Sequence, residues 1–422
     1  MKEIRYPVDS ANFRWIRENG FIYVDKTGYI PKLKNTGKYF FLARPRRFGK
    51  SLFLDTLAEY FKGNRELFEG LAIDSPHTGE WEKYPVVRFN LSKKAYMESD
   101  SLKKHLKEQL SNIEFQFKLD SSRGGLKENE ERFEWIIINL KEKYGKKVVV
   151  LIDEYDAPLS STIGKPELQE IYREQLHGFY SVLKGAEEFL EFCFLTGVTR
   201  YGKVSVFSGL NNLYDITFDN KYAGICGITK DELTQNYHEG IRIFADKSGI
   251  SVEDAFNLLK FHYDGYHFAE NMLDIYNPYS INHALANQKI GNYWCESGIP
   301  TVLSKSLLES DYDIRELVGS LVDESMLTHL SIDSPNPIPL FYQTGYLTLK
   351  SYDKEDHLFT VAYPNREVEK GILNNILSVY NPGNKTEEFI EKFGGCWHSE
   401  LSAEEINEMI KAHRSSKPPV SL

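Results

Sequence analysis

Apolar and polar residues alternate along the first half of the chain in blocks whose period switches between strand and helix. Residues 38–43 (KYFFLA) form a short apolar run that ends in a basic turn, and residues 52–61 (LFLDTLAEYF) carry apolar side chains at helical spacing. The expected order is strand, loop, helix. Residues 85–90 (PVVRFN) predict a second strand, and residues 100–143 predict charged helices with a break over 121–125. Residues 147–152 (KVVVLI) are apolar without alternation, as in a strand buried on both faces of a sheet, and residues 190–197 (LEFCFLTG) predict another strand. Strands that alternate with helices in this way predict an α/β fold with a mostly parallel sheet.

Beyond about residue 230 the period becomes helical, over 230–262 and again over 302–329. Residues 338–364 then predict two strands, around GYLTLKSY and HLFTVAYP, joined by the polar turn DKED. Helices followed by a hairpin resemble a winged-helix module. The tail after about 382 is polar and is expected to fray. A chain of 422 residues is too long for one typical core, so two or three domains are expected.

Charge narrows the function. Lys and Arg total 51 against 61 Asp and Glu, a net charge of −10. A general nucleic-acid coat protein needs the opposite surplus, although a local basic groove remains compatible. Cys193, Cys226, Cys295 and Cys396 form no CxxC pair, which argues for reduced thiols rather than a zinc site or disulfide framework. With no apolar run of about 18 residues and no apolar N-terminal segment, neither a membrane span nor a leader is expected, and a cytoplasmic location follows.

Three segments carry candidate chemistry. The first is Ala43-Arg44-Pro45-Arg46-Arg47-Phe48-Gly49-Lys50-Ser51-Leu52, between a strand and a helix. Gly49 permits close backbone approach to phosphates, Lys50 supplies a mobile charge, Ser51 offers a hydroxyl to Mg2+, and the helix points its positive end at the anion. The first glycine of GxxxxGK[ST] is replaced by Arg44, so a basic surface turn is the competing explanation. The second segment is VVVLI followed by Asp153 and Glu154. A buried strand ending in two acids sets them at the carboxyl edge of the sheet, where Asp153 would hold Mg2+ and Glu154 would orient and deprotonate water. Acids are also common where a strand merely exits into solvent. Asp156 suits a helix cap better than a supporting partner of the site residues. The third segment is Thr196-Gly197-Val198-Thr199-Arg200, where Thr199 would sense the γ-phosphate and Arg200 would stabilise developing charge, in cis or in a neighbouring subunit; the alternative for Arg200 is a surface residue after a strand. Asn211 and Asn212 suit a turn, and His262, Asp264 and His267 suit aromatic packing around a glycine turn better than a metal site.

The chain resembles the bacterial AAA-ATPase-like proteins that often carry a restriction-endonuclease-like nuclease domain. The resemblance rests on FIYVDKTGYI (21–30), ARPRRFGKSLFLDTLAEYF (43–61), LFEGLAI (67–73), YPVVRFNLS (84–92), VVVLIDEYDAPL (148–159), FLTGVTRYGKVSVFSGLNNLYDIT (194–217), YDGYHF (263–268), YNPYSI (276–281), NYWCESGIPTVL (292–303) and QTGYLTL (343–349). Arginine in place of the first loop glycine is usual in that family. The resemblance implies a P-loop NTPase fold of the additional-strand type, with another strand between the phosphate-loop strand and the acid-bearing strand. It implies phosphate and Mg2+ binding by Lys50 and Ser51, Mg2+ binding by Asp153, catalysis by Glu154, and a place near the nucleotide for Asp25, Lys26 and Thr27. It implies ATP as the nucleotide.

The expected organisation is a P-loop domain over 1–230, a helical lid-like region over 231–300, a winged-helix-like region over 301–370 and a short tail over 371–422. Only about fifty residues follow the segment around residues 364–368, and they hold no strand-borne Asp followed by Glu-x-Lys, so a nuclease domain is not expected in this polypeptide. The predicted function is an AAA-like ATPase acting as a nucleotide-driven switch. The rival is a non-hydrolysing ATP-dependent module that recruits a protein or nucleic acid. A homo-oligomer is compatible with both.

Overall fold

The computed structural model describes residues 4–74, 81–120, 125–201, 206–207, 210, 212–296, 317–328, 330 and 336–372. Its centre is a five-stranded sheet of β1 (Tyr39–Ala43), β2 (Val86–Asn90), β3 (Val148–Asp153), β4 (Leu190–Gly197) and β5 (Tyr214–Asp215). The order is β2-β3-β4-β1-β5 and every pairing is parallel. Strand β4 therefore separates the phosphate-loop strand β1 from the acid-bearing strand β3, and all their carboxyl ends meet at one edge.

Helices cover both faces, which is why β1 and β3, apart from the terminal Asp153, are apolar and both strands are buried at every position. The pleat sends Phe40 and Leu42 to one face, with Val149, Leu151 and Phe194, against α3 (Lys50–Phe61). Tyr39 and Phe41 go to the other face, with Val148, Val150 and Ile152, against α4 (Ser101–Phe117), α5 (Asn129–Tyr144) and α7 (Pro166–Gly185). On that side Phe133 of α5 stacks on Phe179 of α7 with centroids 4.7 Å apart. Short helices α1 (Phe13–Glu18), α2 (Tyr29–Thr36) and α6 (Ala157–Ser160) complete the domain.

The next segment holds β6 (Ile228–Thr229), α8 (Lys230–Ser248), α9 (Val252–Tyr263), β7 (Ile275–Tyr276), α10 (Pro278–Asn287) and α11 (Tyr293–Glu296), packed around Leu233, Tyr237, Phe244, Leu259, Tyr263 and Ile281. A capping box between Thr229 and Glu232 starts α8. Last come β8 (Leu321–Val322), α12 (Glu324–Thr328), α13 (Ile338–Thr344), β9 (Thr348–Asp353) and β10 (Leu358–Ala362). Their antiparallel sheet runs β8-β10-β9. The predicted hairpin is present. The helical expectation over 302–329 is corrected at 321–322, a two-residue strand too short to register as a period and visible only through its pairing with β10; residues 302–316 lie outside the described residues. Residues 338–344, expected at the start of the hairpin, are helical. The tail after 372 and Cys396 also lie outside the described residues. Among those described, no helix is long and apolar enough to cross a membrane.

Candidate functional site

The loop after β1 buries Arg44 and leaves Arg46 and Arg47 at one cleft. Arg44 continues the strand by one bond, its N–H donating to the Gly197 carbonyl at 3.2 Å. Its side chain turns inward and is 1% exposed. One guanidinium nitrogen donates to the carbonyls of Ala43 (2.9 Å) and Thr217 (2.8 Å), a second to that of Tyr222 (3.4 Å), and the group lies over the Phe268 ring at 4.3 Å. Burial lowers its pKa, opposed by the surrounding Cys226, Tyr342 and Asp215. An arginine at the first glycine position thus braces the loop from beneath and offers these donors to the protein rather than to a ligand. Arg46 is exposed and lines the cleft. Arg47 adopts the left-handed region at φ +67° and lays its guanidinium over Tyr279, 4.3 Å from the ring centre.

Pro45 lies against Gly345 and Phe48 is fully buried against Tyr266 and Phe268. The Phe48 carbonyl accepts the Gly227 N–H at 2.9 Å. Gly49, at φ +93°, makes the turn into α3 that a side chain would strain. The Lys50 ammonium donates to the carbonyls of Arg44 and Pro45, both at 3.0 Å, and stands 4.0 Å from Glu154 Oε1. Ser51 and Leu52 line the same cleft.

At the end of β3, Asp153 is buried. Asn90 Nδ2 donates to its Oδ2 at 3.3 Å, while its Oδ1 has no hydrogen-bond partner among the described residues. Glu154 sits at φ +52°, an uncommon conformation for a side chain with a Cβ. Burial raises its pKa, Lys50 pulls it down, and Asp156 and Asp153 push it further up. Asp156 occupies the cap position of α6 but makes no cap bond there, correcting the expectation. Its carboxylate instead accepts the backbone N–H groups of Val198 (3.2 Å) and Thr199 (2.7 Å) and the Thr199 hydroxyl (2.5 Å). Those donors follow β4, the neighbour of β3, and three bonds there outweigh one cap bond. A Cβ on Gly197 would fall 2.4 Å from Asp156 Oδ1, so glycine is what lets the carboxylate reach.

Gly49, Lys50, Ser51, Glu154 and Asp156 line a cleft of about 690 Å³, a size suited to a small-molecule ligand, while Asp153 lies behind its lining residues. Its walls include residues that sequence analysis did not find. Pro7, Val8, Asp9, Ser10 and Ala11 form one side, Pro278, Tyr279 and Asn282 of α10 another, and Leu340, Thr344 and Tyr346 at α13 a third. An Asn-Pro helix start at Asn277-Pro278 was a usable signal for α10. Nothing local marked residues 7–11.

Other expected residues lie elsewhere. Asp25 accepts Thr27 N–H (2.8 Å), Thr27 O–H (2.7 Å) and Ala72 N–H (2.6 Å), and so ties a turn together. The buried Lys26 donates to Glu232 and to the Gly224 carbonyl, each at 2.7 Å. Burial lowers its pKa and Glu232 opposes the shift. It lines a cavity of about 70 Å³ beside Phe48, Gly49 and Leu52, next to the main cleft. Thr199 reaches the cleft. Arg200 does not line it; its Nε is 2.7 Å from Asp215 Oδ2, and it lines a separate cavity of about 20 Å³. His267 is held by polar contacts, with Nδ1 2.6 Å from the Leu349 carbonyl and Nε2 2.7 Å from Asp274. No group of three or more metal-ligating His, Cys, Asp or Glu side chains occurs among the described residues. Asn211 lies outside them.

Comparison with known proteins agrees with this geometry. Residues 7–207 match a family described as Predicted AAA-ATPase. Over 387 residues the chain is 32% identical to a protein of Azotobacter chroococcum mcd 1, described as an uncharacterized protein in the vnfD 5' region, covering 90% of this chain and 72% of that one. No solved structure matches. With the additional-strand sheet, the glycine turn into α3 and the paired acids ending β3 all in place, the chain belongs to the AAA-ATPase-like family.

Proposed function

We propose that the cleft binds ATP with Mg2+ and hydrolyses it, and that the helical and hairpin regions around the cleft respond to the nucleotide. The observation that carries this is the meeting of Lys50 and Glu154 at 4.0 Å at the carboxyl edge, beside an Asp153 oxygen that has no donor. A buried carboxylate oxygen without a hydrogen-bond partner fits a cation, and the oxygen donors of Asp153 and Ser51 suit Mg2+. When bound, Mg2+ would neutralise phosphate charge.

Lys50 is held by two neutral carbonyls, which phosphate oxygens can replace. The N–H groups at the start of α3 face an incoming anion. Glu154, its pKa raised by burial, is a stronger base than an exposed carboxylate and would take a proton from water. Thr199 would report on the γ-phosphate. Arg46 lines the cleft already, whereas Arg200 joins the chemistry only if its pair with Asp215 opens. The order β8, α12, α13, β9, β10, with the first strand beside the last, supports a winged-helix-like assignment for the final region.

Calorimetry with Mg-ATP tests the proposal. Lys50→Ala should weaken binding by about a hundredfold, since each hydrogen bond to a charged group contributes roughly 1.5–3 kcal/mol. Glu154→Gln should bind normally and turn over at least tenfold more slowly. Normal turnover in Glu154→Gln would remove the catalytic role, and wild type that binds but never hydrolyses would leave the ATP-dependent recruiting module.

A further inference from the structure

We infer that Gln343 is a positioning residue that couples the acid end of β3 to the C-terminal helix–hairpin region. The turn after β4 presents three successive backbone N–H groups, each held by a side chain from another element. Those of Val198 and Thr199 donate to Asp156, three residues beyond Asp153. That of Arg200 donates to Gln343 Oε1 at 2.8 Å. The Gln343 Nε2 in turn donates to the Leu327 carbonyl, at the end of α12, at 2.7 Å. The turn is therefore suspended between the acid strand and the C-terminal region. The neutral amide supplies both the acceptor and the donor that this position uses.

The surroundings make this link respond to the cleft. Gln343 is 7% exposed, and six of the seven residues of α13 are buried. Leu340 and Thr344, on the same helix, line the cleft. Gly345 follows at φ +91°, where an added Cβ would come within 2.6 Å of Pro45 in the phosphate loop. A shift of α13 moves the cleft wall, presses on the loop and withdraws the acceptor from Arg200 N–H together. The turn then loosens its hold on Asp156, and Glu154 two residues upstream loses its fixed orientation. Gln343 touches no reacting atom and acts through the turn.

This inference rests on the proposed ATPase activity for its effect on turnover, but the link itself is testable without nucleotide. Full-length Gln343→Leu removes both bonds. Gln343→Glu keeps the acceptor for Arg200 N–H and loses the donor to Leu327. Mg-ATP affinity, steady-state turnover and hydrogen exchange over residues 198–200 and 348–362 are measured for each. Gln343→Leu should bind ATP within about threefold of wild type, turn over at least tenfold more slowly, and exchange faster at 198–200 with or without ATP. Gln343→Glu should keep slow exchange at 198–200, show intermediate turnover and lose the ATP-dependent change over 348–362. Unchanged exchange at 198–200 in nucleotide-free Gln343→Leu overturns the inference. So does a parallel fall in affinity, turnover and melting temperature in both variants, the mark of a merely structural residue. Absence of ATP binding by the wild type would count against the proposed function, and the nucleotide-free exchange would still decide whether Gln343 holds the turn.

Discussion

Replacing Arg44 by glycine would bring the loop to the GxxxxGK[ST] pattern, and the structure makes that change damaging. The guanidinium holds the Ala43 and Thr217 carbonyls at 2.9 and 2.8 Å and lies over Phe268. Hydrogen bonds to a charged group contribute roughly 1.5–3 kcal/mol each, and a desolvated cation–ring contact about 2 kcal/mol. Against this stands the cost of burying the charge, several kcal/mol, which the substitution relieves. Glycine also leaves the Thr217 carbonyl without its side-chain donor, opens a void under the loop and frees the unfolded backbone. The expected net loss for Arg44→Gly is about 3 kcal/mol, with Arg44→Met nearer wild type because it keeps volume against Phe268. Urea denaturation followed by circular dichroism measures it. A change below about 1 kcal/mol, the range of an ordinary surface substitution, would refute the bracing role. Tighter ATP binding at undiminished stability would refute it as well, by showing that the loop wanted glycine there.

Further expectations follow from two buried acids. Because burial raises the Glu154 pKa, the acid limb of kcat/KM should lie above the ordinary carboxylate value of about 4.3; a limb at or below that value would deny Glu154 the role of base. The folded carboxyl also holds its proton more tightly than the unfolded one, so its stability contribution is present at low pH and lost as pH rises through the folded pKa. Glu154→Gln should accordingly melt higher than wild type at neutral pH. Asp264, in YDGYHF, is buried with an unpartnered Oδ1, and burial raises its pKa from 3.8 to about 6. Asp264→Asn should be more stable than wild type by on the order of 2–3 kcal/mol above pH 6, with the difference vanishing below about pH 4; equal stability at all pH values would contradict the raised pKa.

The candidate site is assembled by contacts that cross the length of the chain. The phosphate loop touches the second half of the chain at several points: Pro45 meets Gly345, the Arg46 carbonyl accepts Trp294 Nε1–H at 3.0 Å, and Arg47 covers Tyr279. A loop that bound phosphate in isolation would need none of these. Together they support a loop whose conformation is shared with α10, α11 and α13.

Much of this was determined by the sequence alone. The apolar run before Asp153 and Glu154 required a strand buried on both faces. Gly49, Lys50 and Ser51 at the strand-to-helix junction were enough to mark the candidate site, because side-chain type and short spacing suffice for that. The hairpin around residues 353–356 was equally legible, since its strands and turn are contiguous. Tertiary structure decided the rest. Arg44, Arg46 and Arg47 are chemically identical in the sequence, yet Arg44 braces the loop from beneath while Arg46 and Arg47 line the cleft, Arg47 over Tyr279. Asp156 looked like a cap until β4 set two backbone donors beside it. The strand order reached the sequence reading only through family resemblance. Residues 7–11, Asn282 and Gln343 gave no sign of their place at the cleft or the turn. Periodicity records which face of an element is buried. It carries no record of what buries it, because the partner is chosen by packing among segments far apart along the chain.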